Sequence, residues 1–141
     1  MRMLGVDLGR RRIGLAVSDP SGMLARPLTT LHLTADDGLQ RVLAEVHRLQ
    51  REDDGLGGVV VGLPRRLDGT PNEQTVATEQ FVAALRAHLD VPVVTEDERL
   101  SSREADGRLA ARERDWKKRK AQLDAAAAAV ILQDFLDRPR P

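Results

Sequence analysis

The sequence predicts an α/β fold in which three antiparallel strands are followed by parallel βαβ units, giving a mixed five-stranded sheet flanked by helices. Two observations predict it. Residues 1–33 contain three strand-like apolar segments separated by short turns, which is typical of antiparallel pairing. Beyond them, amphipathic helical segments alternate with short apolar segments, and this alternation requires parallel strands joined by helical crossovers.

The antiparallel part begins at the N-terminus. Residues 3–8 form an apolar segment with Asp7 near its end, and residues 13–18 form a second one. A glycine-containing turn separates the two, so they predict a β-hairpin. A third strand is expected at residues 24–33, where Pro27 has no N–H to donate and therefore indicates a sheet edge or a bulge.

The second part alternates helices with strands. Residues 36–50 have apolar side chains at helical spacing and predict an amphipathic helix. Residues 58–63 contain three consecutive valines, which favours a parallel strand covered on both faces. A second helix is predicted at residues 72–89, and a fifth strand at residues 91–95.

Two further helices are predicted before the C-terminus. One covers residues 101–111 and has a serine at its start as a cap. The last covers residues 123–137 and places Asp124 in its first turn, where the helix dipole favours an acid.

Length and composition limit the class of protein. We expect residues 1–137 to form a single domain and residues 138–141 a C-terminal tail. The absence of cysteine excludes disulfides and thiolate metal sites. No signal-peptide pattern and no apolar segment long enough to span a membrane occur in the sequence. We therefore expect a cytoplasmic protein.

Charge is balanced overall but clustered locally. The chain has 22 basic and 22 acidic residues, and only 2% of its residues are aromatic. Local basic clusters create a field even at zero net charge, and the lack of aromatic platforms favours binding of nucleic acid through phosphates rather than stacked bases. The basic residues that we expect to contact nucleic acid are Arg10, Arg11, Arg12, Arg65, Arg66, Arg99, Lys117, Lys118, Arg119 and Lys120.

Three carboxylates are candidates for catalysis. Asp7 lies near the end of the first strand and Glu98 shortly after the fifth, and the carboxyl ends of parallel strands meet at the edge of the sheet where ligands bind. Asp124 comes shortly after the basic run at residues 117–120. Each acid also has a structural explanation. Asp7 could begin a turn, and Glu98 could be a surface acid paired with Arg99. Asp124 could complement the helix dipole.

A site of carboxylates without cysteine or histidine suits a hard cation, Mg²⁺ or Mn²⁺. Such ions can activate water and stabilise the leaving oxygen in phosphodiester hydrolysis. We expect His32, His47 and His88 to be structural or surface residues, because they are scattered over a strand and two helices.

Several segments, in order along the chain, resemble motifs of the YqgF/RuvX family. The first is MLGVDLGRRRIGLAVSD at residues 3–19. The others are VVGLP at 60–64, DGT at 68–70, PVV at 92–94, DERL at 97–100, KKRK at 117–120, LD at 123–124 and AAVILQ at 128–133.

This resemblance implies an RNase H-like fold related to Holliday junction resolvases. It also implies a nuclease that matures the 5′ end of pre-16S ribosomal RNA, with Asp7, Glu98 and Asp124 at the family's acidic positions. Arg10 stands where Thr or Ser is usual, and Asp106 where Glu is common. The fourth strand ends without the acid that resolvases of this fold carry there, so Glu98 would take its place from the fifth strand.

Two other functions remain open, and a third is disfavoured by length. The same chemistry could resolve four-way DNA junctions, or the chain could be a non-catalytic nucleic-acid-binding or transcription-associated factor. An actin-like phosphotransferase also opens with an Asp-x-Gly strand, but that class requires two such domains, which 141 residues do not provide. We expect a monomer or a weak homodimer, because the predicted helices leave no apolar stripe for a tight interface.

Overall fold

The computed structural model describes residues 1–64, 68–97 and 116–139, and within residues 116–123 only the helical backbone. The predicted helix at residues 101–111 therefore lies outside the described residues. The described elements are β1 (Arg2–Leu8), β2 (Arg12–Ser18), β3 (Ala25–His32), α1 (Gly38–Arg51), β4 (Leu56–Leu63), α2 (Glu73–His88), β5 (Val93–Asp97) and α3 (Trp116–Asp137).

The five strands form one mixed sheet in the order β3-β2-β1-β4-β5. The pairs β1–β2 and β2–β3 are antiparallel, whereas β1–β4 and β4–β5 are parallel. Strands β1, β4 and β5 consequently end at the same edge of the sheet. The predicted mixed five-stranded sheet with flanking helices is confirmed. Among the described elements, the observed ends differ from the predicted ones by a few residues, except for the last helix.

Pro27 lies on an edge strand and also at an irregularity. Strand β3 is the outer strand of the sheet, and its register with β2 shifts between Leu15, which pairs with Thr29, and Ala16, which pairs with Pro27. A residue without an N–H is tolerated at such a place because no ladder hydrogen bond is lost. Both sequence-based expectations for Pro27 are confirmed.

Helices cover both faces of the sheet. On one face, valines of β4 pack with Val42 of α1 and Leu85 of α2 in the larger core. On the other face, Ala16 and Val60 pack against α3. Because strand side chains alternate between faces, each strand contributes to both layers, which explains the almost uninterrupted apolar character of β4. No helix within the described residues has the length and apolar character needed to cross a membrane.

Two glycines let α3 approach the sheet closely. A Cβ atom at Gly5 would lie 2.8 Å from Leu132 Cβ, and one at Gly14 would lie only 2.0 Å from the carbonyl oxygen of Asp124. The helix backbone therefore rests almost directly on β1 and β2, at distances that a side chain at either position would prevent.

The last helix begins at Trp116 rather than at residue 123, so the prediction that Asp124 lies in its first turn is wrong. The prediction used the apolar periodicity, which starts at Leu123. The preceding residues are mainly Lys, Arg, Ala and Gln, which are strong helix formers, and the helix extends back through them. Asp124 lies inside the helix, and the helix dipole does not account for its presence.

Candidate active site

Asp7 lies near the carboxyl end of β1, on the face of the sheet that α3 covers. Met3 and Gly5 contact α3, and side chains two residues apart in a strand share a face. The Asp7 residue is half-buried, and its cross-strand partner on β2 is Gly14. Asp7 is thus next to the position where the backbone of α3 comes closest to the sheet.

Asp124 is brought to the same corner of the molecule by that close approach. Its carbonyl oxygen lies against Gly14, the residue that pairs with Asp7. Two acids separated by most of the chain therefore meet where the end of β1, the start of β2 and α3 come together. Gly14, which has no side chain, leaves room there for the backbone of α3 at Asp124.

Arg12 forms an ion pair with Asp124, with 2.8 Å between Arg12 Nε and Asp124 Oδ2. Both side chains are about three-quarters buried, so the pair is partly shielded from solvent. Arg10 and Arg11, by contrast, are exposed. Arg12 was predicted to contact nucleic acid, and its observed contact with Asp124 adds a role that the sequence did not show.

A cavity of about 550 Å³ opens beside this pair. We call it the basic cavity. The side chains of its rim carry three guanidinium groups and a single carboxylate, which suits a bound phosphate. His32, expected from the sequence to be a structural or surface residue, is exposed and belongs to this rim. The lining residues are Gly9, Arg10, Arg11, Arg12, His32, Leu33 and Asp124.

The structure does not describe the side chains of the other predicted site residues. Arg65, Arg66, Glu98 and Arg99 lie outside the described residues. The basic run, Lys117, Lys118, Arg119 and Lys120, belongs to the helical backbone of α3 upstream of Asp124.

Asp97 precedes Glu98 in the DERL motif and is the alternative acid there, but it lies on the opposite face of the sheet from Asp7. In β5, Val94 packs with the α3 cluster and Val93 with the α1 and α2 core. Alternation places Asp97 on the side of Val93. This position argues against a role for Asp97 beside Asp7.

Glu96 is a buried carboxylate that sequence reasoning missed. Only 4% of it is exposed, and its Oε2 lies 2.8 Å from Arg138 Nη2. Burial raises the pKa of Glu96, Arg138 opposes that shift, and the nearby Asp134 and Asp97 add to it. Alternation along β5 puts Glu96 on the face that α3 covers, and this was the signal that could have predicted its burial. An acid at the end of a short strand is, however, ordinarily expected in solvent.

The described carboxylates fit a hard divalent cation in their chemistry. Asp7 and Asp124 offer only oxygen donors, which Mg²⁺ and Mn²⁺ prefer. Among residues 1–64, 68–97 and 116–139, no three His, Cys, Asp or Glu side chains form a group that could hold a metal. Glu98, the third acid predicted from the sequence, lies outside these residues.

The strand order β3-β2-β1-β4-β5, with helices on both faces, is that of an RNase H-like fold. The fold is shared with T. thermophilus RuvC in complex with a Holliday junction substrate. The TM-score is 0.53 at 19% identity, over 96% of this chain and 94% of that one.

A family model described as "RuvX: Holliday junction resolvase" matches residues 1–138. The chain belongs to this family, and its class is that of a nuclease. A protein of Anaeromyxobacter sp. (strain K) is 47% identical over 141 residues, the full length of both chains. One of Geobacillus kaustophilus (strain HTA426) is 41% identical over 143 residues, covering 99% of this chain and 100% of that one. Both carry the name "Putative pre-16S rRNA nuclease". The resemblance seen in the sequence is confirmed.

Proposed function

We propose that this chain is a divalent-metal-dependent endonuclease that matures the 5′ end of pre-16S ribosomal RNA in ribosome biogenesis, and that it acts in the cytoplasm. The observation that carries the proposal is the meeting of Asp7 and Asp124 across Gly14, next to a cavity lined by Arg10, Arg11 and Arg12. The name of the full-length relatives supports the choice of RNA.

The acids Asp7, Glu98 and Asp124 would hold Mg²⁺ or Mn²⁺. When bound, such an ion activates water and stabilises the leaving oxygen of a phosphodiester. Asp7 projects from a rigid central strand, and Asp124 is held by α3 and by its ion pair with Arg12. Both acids are therefore positioned before substrate arrives, which is what catalysis by preorganised groups requires.

The cationic groups would hold the substrate backbone. Arg10 and Arg11 are exposed on the rim of the basic cavity, where guanidinium groups can form paired hydrogen bonds with a phosphate. Arg65, Arg66, Arg99 and the run at residues 117–120 would extend this contact along the strand. Since phosphates carry no sequence information, these contacts set position and affinity rather than sequence preference.

A four-way DNA junction is the second candidate substrate, favoured by the description of the family and by the fold shared with RuvC. Resolution needs two symmetric cuts and hence two sites related by a twofold axis. A single strand cut needs only one site. We propose a monomer or weak homodimer, which suits the RNA reaction.

The test is cleavage of a panel that contains a pre-16S 5′ leader RNA and a four-way DNA junction, at equal salt and metal. The proposal expects RNA to be cut with Mg²⁺ or Mn²⁺, little turnover with Ca²⁺, whose coordination is longer and looser, and none with chelator. Sedimentation at micromolar concentration reports the oligomeric state. A tight dimer that makes paired nicks in the junction and leaves RNA intact would reverse the choice of substrate, and full activity in chelator would exclude the metal.

A further inference from the structure

A second cavity, of about 460 Å³, shares Arg10 with the basic cavity. It opens between the end of β1 and the first turns of α1 and α2. We call it the amide cavity, because three glutamines line it together with several apolar side chains, Leu39 and Phe81 among them. The glutamines are Gln40 from α1 and Gln74 and Gln80 from α2.

The amide groups are suited to the edge of a nucleobase. A glutamine side chain offers two N–H donors and a carbonyl acceptor at once, and a base edge presents matching acceptors and donors. Gln74 Nε2 donates to the carbonyl oxygen of Leu8 at 3.1 Å, which holds its amide at the end of β1. Leu39 and Phe81 are half-buried and supply apolar surface for the flat face of a base.

The position of this cavity connects it to the phosphate-binding groups. Gly9, Arg10 and Leu33 line both cavities, so Arg10 forms the ridge between them. A strand whose phosphate lies in the basic cavity has a neighbouring base within reach of the amide cavity. The volume falls within the range of about 300–1,000 Å³ of small-ligand pockets.

We propose that the amide cavity binds one unpaired nucleobase of the strand that is cut. The identification of that strand as RNA rests on the proposed function above. A base held in the cavity by its Watson–Crick edge cannot at the same time pair with a complementary strand, so the cavity selects single-stranded or frayed substrate. Asp36, on the rim, adds an acceptor for the exocyclic amino group of adenine, cytosine or guanine, so a uridine tract is the weakest ligand.

The test is binding of a labelled single-stranded RNA without divalent metal, measured by fluorescence anisotropy. The intact RNA is compared with RNAs that each carry one abasic nucleotide. We expect one abasic position to weaken binding to the unaltered protein by about tenfold, the scale of removing one bound base. The double variant Gln40→Ala, Gln80→Ala should lose most of this penalty. Gln50→Ala, in α1 but outside the cavity, should retain all of it.

Two outcomes contradict the proposal: every abasic RNA binds as tightly as the intact RNA, or the double variant retains the full abasic penalty. The proposed function fails differently. If binding depends on a base but no RNA is cut when Mg²⁺ or Mn²⁺ is added, the base site stands and the nuclease assignment to RNA falls. If RNA is cut at equal rates with and without each base, only the base site falls.

Discussion

The guanidinium group of Arg12 on β2 forms an ion pair with the carboxylate of Asp124 on α3, at 2.8 Å between Nε and Oδ2. The pair joins the sheet to the helix two residues away from Gly14, where the helix backbone touches β2. It therefore fixes both the distance and the rotation of α3 at the level of Asp7. Charge and close packing act together to place the two acids.

Loss of this pair should lower both stability and activity. We expect Arg12→Ala to reduce the free energy of unfolding by about 1 kcal/mol, the upper range for partly exposed ion pairs, and to lower kcat because Asp124 loses its positioning partner. In urea titrations, the double variant Arg12→Ala, Asp124→Asn should be little worse than either single variant. Arg51→Ala, exposed at the end of α1, is the control. Additive losses would show that the two residues do not interact in solution.

Gly14 should tolerate no side chain. In Gly14→Ala the new Cβ would lie 2.0 Å from the carbonyl oxygen of Asp124, so α3 must move. We expect a loss of about 1–3 kcal/mol, as for overpacked cores, and loss of cleavage. Gly22→Ala is the control: its Cβ meets no atom within 4 Å, but its φ of 73° strains alanine, which costs about 1 kcal/mol without touching the site. Equal activity in the two variants would contradict the close approach.

The three acids should act as one unit. Asp7→Asn, Glu98→Gln and Asp124→Asn should each nearly abolish metal-dependent cleavage while the circular dichroism spectrum is kept, and a double variant should be little worse than a single one. Asp97→Asn is the matched control, since alternation along β5 places that residue on the other face of the sheet. If Asp97→Asn abolishes cleavage and Glu98→Gln does not, the role belongs to Asp97.

The basic run at the start of α3 should carry part of the salt dependence of binding. Replacing Lys117, Lys118, Arg119 and Lys120 by glutamine should make the slope of log affinity against log salt shallower by roughly 0.7–0.9 for each phosphate that is no longer neutralised. Unrelated sequences should be affected equally.

The control for the basic run replaces two other arginines by glutamine. Arg26, near the start of β3, and Arg51, at the end of α1, are exposed. Arg26 pairs with Val17, at the end of β2 away from Arg12, so this variant should keep the slope. If the variant of the basic run also kept the slope, these four side chains would not contact phosphates and would only face solvent.

Glu96 should make stability depend on pH. Burial raises its pKa from the ordinary 4.5, so the folded chain binds this proton more tightly than the unfolded chain. The corresponding stabilisation is present below the ordinary pKa and is lost as pH rises through the folded value. The variant Glu96→Gln should therefore gain stability relative to the unaltered protein as the pH rises from the ordinary pKa to neutrality. Glu79→Gln, exposed on α2, is the control in the same urea titrations. A difference that stays constant or reverses with pH would contradict the shift.

Local patterns were sufficient to predict the strands and the first two helices. The valines of β4 require that the strand be buried on both faces. Pro27 of β3 requires a position at which no ladder hydrogen bond is donated. Such requirements can be read one segment at a time. The same reading misplaced the start of α3, because apolar periodicity stops at Leu123 while the helical backbone of basic and small residues continues to Trp116.

The sequence by itself determined the architecture and the identity of the candidate acids, since both follow from residue types and their order. Only the tertiary structure decided that Asp124 pairs with Arg12, that Glu96 is buried against Arg138, and that glutamines of two helices line one cavity. These relationships join elements that are distant in the chain. The close approach at Gly14 has no signature in the sequence, and the glutamines look like ordinary solvent-exposed helix residues. They depend on how helices and sheet pack, and no local segment contains that information.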